Sequence, residues 1–244
     1  VIVVTILLLL NSVYLLFTII QFTYFFGNSL QAGLTYAEYA RKGFFELIVV
    51  TLVNWTVLFS SLVMVKEKGI KVDRLLKVMY SLLIGFSAVL LASAYQRLSL
   101  YESAYGFTMD RVLAHAFMVF LFIIFAYTFI RVWMEKLSLV HFYLIASLLF
   151  YSALNIMPLE KIIVDNNLER YHQTGKLDIN YLNRFSDTGV EALIHLYQDE
   201  PDFPELKKML QERQQMIRKR DNNWQAYNFT KQRVKEKLVE LDFE

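Results

Sequence analysis

Five apolar runs, each long enough to cross a lipid bilayer as a helix, limit the fold of this chain more than any other feature. A hydrocarbon core of about 30 Å takes about 20 helical residues. The runs lie near residues 1–26, 44–65, 75–98, 112–130 and 137–157. In lipid every backbone N–H and C=O must be bonded internally, which leaves helices or a closed barrel. None of the runs carries the two-residue alternation of barrel strands. The predicted fold class is therefore all-α. A polytopic transmembrane helix bundle of about five spans covers 1–157, and a soluble helical C-terminal tail covers 158–244. A hydrophobic content of 56% and a mean hydropathy of +0.35 agree with the membrane class.

Charge separates the two halves. Residues 1–157 hold 11 Lys+Arg and 7 Asp+Glu, and the tail holds 14 and 16. A net charge of +2 is too small to suggest a nucleic-acid partner. Without cysteine there is no disulfide framework, thiolate metal site or Cys nucleophile. The chain opens at Val1 inside an apolar run with no basic n-region, so it reads as preceded by further sequence rather than as a signal peptide.

Basic residues in short loops set the expected orientation. Lys66, Lys68, Lys71, Arg74 and Lys77, with Arg131 and Lys136, mark one side, against Arg41, Lys42, Arg97 and Arg111 on the other. The basic loops are expected in the cytoplasm, and the tail is expected outside.

The opposite face collects the candidate chemistry. Arg41, Glu46, Arg97, Glu102, Asp110, Arg111 and His115 all fall near the ends of spans. Ionisable groups at membrane depth are costly and find partners in the bundle interior. Glu46 is expected to pair with Arg97 or Arg111. One reading is a structural ion-pair lattice that fixes helix register. The other is a polar pocket in which arginines hold an anionic headgroup or solute and a carboxylate or His moves a proton. Asn11, Asn54 and Asn155 are expected to bond between helices, and His141 to be a hydrogen-bonded core or interface residue.

In the tail, Thr188–Glu191 matches a capping box, and Pro204 suits the first turn of a helix. Trp224, Tyr227, Val234, Leu238 and Leu241 form an apolar stripe at helical spacing. It would pack within the tail or dock onto another membrane or envelope protein. Apart from that protein, the expected partner is the bilayer, and no cofactor or metal is expected. No HExxH, Walker loop, GxSxG or Gly-rich phosphate cradle appears.

The blocks YAEYARKGFFEL (36–47), LYESAYGFTMDR (100–111) and NNLERYHQTGKLDINYLNRFSDTGVEALIHL (166–196), with WQAYNFT (224–230), resemble a bacterial multi-pass membrane family. That family is the domain of unknown function 4173, related to 4153. The resemblance implies a bacterial cell membrane location and further hydrophobic helices ahead of Val1. It carries no catalytic residue. The expected role is a non-enzymatic membrane protein that senses, scaffolds or binds a partner through the tail, the alternative being a transporter or lipid-handling protein built on the polar pocket.

Overall fold

The structure, a computed structural model, describes residues 2–26, 35–64, 69–134, 136–185, 187–218, 229–241 and 243. Among these are ten helices. The first five are α1 (Ile2–Phe26), α2 (Tyr36–Met64), α3 (Ile70–Tyr105), α4 (Met109–Trp133) and α5 (Leu139–Ile156). Each is long and apolar enough to cross a membrane. There follow α6 (Leu159–Thr174), α7 (Ile179–Arg184), α8 (Asp187–Asp199), α9 (Pro204–Arg218) and α10 (Phe229–Glu240). The chain divides into two compact units, Val1–Tyr105 with Asp110–Met157, and Gly106–Met109 with Pro158–Glu244.

Three helices are longer than their apolar runs, α2 and α3 by most and α4 by about a turn at each end. The second starts at Tyr36 instead of Phe44 because Thr35 and Glu38 cap it reciprocally. Glu38 N–H donates to Thr35 Oγ1 at 3.3 Å, and Thr35 N–H donates to Glu38 Oε2 at 3.0 Å. The third runs past Leu98 to Tyr105, so Ser99–Tyr105, expected in a connection, are helical. Gly106 ends it with φ +87°, a conformation that favours glycine.

The packing of α2 on α3 follows a coiled-coil rhythm. Leu76, Tyr80, Leu83, Ser87, Leu90, Ala94 and Arg97 are all buried on α3. They are spaced alternately four and three residues apart, which keeps one seam turned to a partner helix. On α2, Leu47, Thr51, Asn54, Leu58 and Ser61 repeat the rhythm. Asn11 Nδ2 on α1 donates to the Met79 carbonyl at 3.2 Å, the interhelical bond expected of it. Asn155 instead donates to Tyr151 O in its own helix. Aromatic rings join α4 and α5, with Tyr127 on Phe142 and Phe120 on Phe150. His141 is exposed, and its Nδ1 lies 2.7 Å from the Oγ of Ser138, the N-cap of α5.

The second unit has its own core around Leu182, Leu193, Ile194, Leu206, Leu210, Val234 and Leu238. α8 begins at Asp187, so Thr188 sits inside its first turn rather than at its cap. Glu191 meets Lys237 Nζ at 2.6 Å, and this ammonium holds its carboxyl below the ordinary carboxylate range. Pro204 opens α9 as expected. The loop 106–109 packs with these helices rather than with the spans it connects. The side chain of Asn167 on α6 accepts from Phe107 N–H and donates to Phe107 C=O, each at 2.9 Å, and Tyr181 OH accepts from Met109 N–H at 2.8 Å.

The described part of the expected docking stripe is taken up by this core. Val234 is 3% and Leu238 0% exposed, and Leu241 packs against the same cluster. Val234 and Leu238 are turned inward, and Leu241 is partly buried beside them. Trp224 and Tyr227 lie outside the described residues.

Candidate functional site

Two polar contacts form near the C-terminal end of α3, on different sides of that helix. On the α2 side, Arg97 is 6% exposed and its Nη1 lies 3.4 Å from Glu46 Oε2. Tyr39, Gly43 and Glu46 occupy one stripe of α2 at helical spacing, and Arg97 lies along it. Its guanidinium sits 4.3 Å from the centroid of the Tyr39 ring, within cation–π reach. A Cβ on Gly43 would come 2.8 Å from Arg97 Cδ, so the glycine makes room for the arginine stem. The YAEYARKGFFEL block thus supplies a ring, a gap and a carboxylate to one buried cation.

On the α4 side the central group is Glu102, a carboxylate only 3% exposed. His115 Nδ1 approaches its Oε2 at 3.0 Å. Tyr95, Ser99 and Glu102 share a stripe of α3, and all three meet that histidine. The other ring nitrogen, Nε2, lies 3.4 Å from Ser99 Oγ and 3.5 Å from Tyr95 O, and the ring packs on Tyr95. The Ser99 hydroxyl itself donates to Tyr95 O at 3.0 Å. With Nδ1 turned to the carboxylate, Nε2 faces the Ser99 hydroxyl and the Tyr95 carbonyl. Glu102 Oε1 is buried and meets no hydrogen-bond donor among the described residues.

Of the seven sequence-predicted residues, the structure joins Glu46 to Arg97 and Glu102 to His115. Arg111 places its guanidinium 3.8 Å over the Tyr101 ring, so Arg97 rather than Arg111 is the partner of Glu46. Arg41 is exposed, its Nε 3.4 Å from Ala37 O, and Asp110 is exposed in the first turn of α4. Sequence reasoning missed Tyr39, Gly43, Tyr95 and Ser99. The Tyr39–Gly43–Glu46 spacing was the available signal, since the three share a helix face. Among the described residues no three His, Asp or Glu side chains converge to hold a metal.

The arrangement sets an imidazole against a buried carboxylate on one side of α3 and an arginine against a carboxylate on the other. A buried carboxylate in contact with an imidazole brings together two groups of the kind that serve as acid and base in proton transfer.

Residues 1–196 match the family described as a domain of unknown function (DUF4153), and the chain belongs to that family. The match is to number 4153, not to the related 4173 that the sequence blocks suggested. No curated protein and no solved structure matches the chain.

Proposed function

We propose that this DUF4153 member is a non-enzymatic transporter of the bacterial cell membrane that exchanges protons against a small anionic solute at one end of its helix bundle. The observation that carries this reading is the Glu102–His115 contact, with Glu102 buried at 3% exposure and its Oε1 without a donor among the described residues. A locking pair needs no such free oxygen. A buried ionisable group at the end of a bundle of membrane-crossing helices is a candidate for function. Arg111, held over the Tyr101 ring, brings positive charge near this end of the bundle, while Arg97 is already matched by Glu46. Burial of Val234 and Leu238 in the tail core favours packing within the tail for that part of the stripe. Lys/Arg asymmetry between short loops favours an outward-facing site and an extracytoplasmic tail.

Solute jumps on proteoliposomes adsorbed to a solid-supported membrane test the transport reading, with inorganic phosphate, acetate and glycerol 3-phosphate as probes. A pH-dependent transient current is expected for at least one, and Glu102→Gln should abolish it while the protein still elutes as a folded species. A silent panel from folded, inserted protein would remove transport from consideration. The side is read by impermeant thiol labelling of Gln173→Cys and Gly69→Cys, since the chain holds no cysteine of its own. Labelling of Gln173→Cys alone in intact cells is expected, and the reverse pattern would turn the site to the cytoplasm.

A further inference from the structure

Along the seam between α2 and α3, side chains bearing oxygen recur at buried positions. Glu46 meets Arg97, Asn54 Nδ2 donates to Ser87 Oγ at 2.5 Å, and Tyr80 OH donates to Ser61 Oγ at 2.6 Å. The three contacts keep one antiparallel register. From Glu46 to Ser61 the helix rises about 22 Å, most of a hydrocarbon core of about 30 Å.

The hydrogens along the seam can be followed. Ser87 Oγ passes its own hydrogen to Leu83 O at 3.0 Å, and Ser61 Oγ passes its hydrogen to Leu58 O at 2.9 Å. Two oxygens on one face of α2 are left over. Asn54 Oδ1 and Thr51 Oγ1 meet no hydrogen-bond partner among the described residues, although these side chains are only 6% and 4% exposed. Interhelical glue explains the Asn54 amide nitrogen, which has its acceptor. It does not explain an amide oxygen and a hydroxyl one turn apart that have none. Buried groups of this kind are served by ordered water, which needs two to four polar partners. Thr51, Asn54 and Ser87 provide that number at mid-seam.

We propose that the α2–α3 seam is a hydrated track that carries protons between its Glu46–Arg97 end and its Ser61–Tyr80 end. The inference rests on the transport reading and deepens it by naming a route for the coupling proton. Glu46, a quarter exposed on its side chain, meets solvent at one end. A proton taken up there is matched by one released at the other end. In between, each water or hydroxyl gives up one O–H bond as it forms another, so no atom is left over and no redox partner is required.

The full chain in phosphatidylcholine–phosphatidylglycerol vesicles, with entrapped pyranine and a valinomycin potassium potential, reads this flux directly. Inward proton flux above that of protein-free vesicles is expected. Asn54→Leu should reduce it to the protein-free level, and Thr51→Val, a nearly isosteric change, should lower it without disturbing the fold. Wild-type flux in a folded Thr51→Val or Asn54→Leu protein would overturn the track, as would wild-type protein with no flux. The two readings fail separately. Solute currents that survive Asn54→Leu with their pH dependence intact leave transport standing and remove the track. Asn54-dependent proton flux without any solute current does the opposite.

Discussion

Replacing Gly189 by alanine is expected to cost the tail about 2–3 kcal/mol, the upper range for overpacking a filled site. An alanine in a helix interior ordinarily gains about 0.5–1 kcal/mol over glycine. At position 189 the sign reverses. The added Cβ would collide with the Leu182 carbonyl oxygen and fall 2.8 Å from Phe185 Cβ. The first of these is backbone at the end of α7, not the tip of a flexible side chain. Either α7 or α8 must shift, and Leu182 and Leu193, 1% and 0% exposed, would move with them. Hydrogen exchange on the full chain in detergent reads the effect, with protection in α7 and α8 falling by about thirty- to a hundredfold. Gly85→Ala is the control. A Cβ there meets nothing within 4 Å, so that change should be neutral or mildly stabilising. Equal behaviour of the two variants would mean that α7 and α8 do not approach so closely.

Removing His115 is expected to destabilise the bundle by about 3 kcal/mol, because breaking a buried pair strands the remaining charge. His115→Ala would leave Glu102 with neither oxygen partnered by the contacts described above, at 3% exposure. Truncating both partners has a different outcome. A His115→Leu, Glu102→Leu double variant replaces two desolvated polar groups by carbon and should recover most of the loss, as buried pairs exchanged for apolar residues often do. The double-mutant cycle, run as reversible unfolding in mixed dodecylmaltoside–SDS micelles, isolates the coupling, expected at about 1.5–3 kcal/mol. Additive costs would mean that histidine and carboxylate stand together without interacting. In that case the free Glu102 oxygen would lose its meaning for proton transfer as well.

The five spans could be read from the sequence because lipid demands long apolar runs and nothing else in the chain resembles one. Their ends could not be read the same way. Hydropathy drops at Arg41 and again at Arg97, but a helix stops where its backbone is capped or broken, not where it leaves the hydrocarbon. The Thr35–Glu38 capping box and Gly106 are the true boundary marks, and both stand in the sequence. Of the site, Glu46 with Arg97 was one of two foreseen pairings. Glu102 and His115 were each singled out but not joined, since their meeting depends on how α3 and α4 register across the Gly106 turn. The mid-seam oxygens escaped notice for a related reason. Asn54 read as glue, and only burial along the three-four rhythm of α2 shows that half of its amide goes unused. Val234 and Leu238 read correctly as a stripe, but a stripe does not state which surface covers it.

The bond between Asn167 and Phe107 has a consequence for the order in which the protein is made. It joins positions sixty residues apart and closes a ring of chain that contains both α4 and α5. A ribosome delivers Phe107 first, and two more helices must enter the bilayer before Asn167 exists to hold it. The segment between the third and fourth helices therefore waits, bare, through the insertion of everything that follows. Closing so large a ring late costs little more than closing a small one, because the entropy grows only with the logarithm of its length. Once closed, the ring records that α4 and α5 have both been put in place.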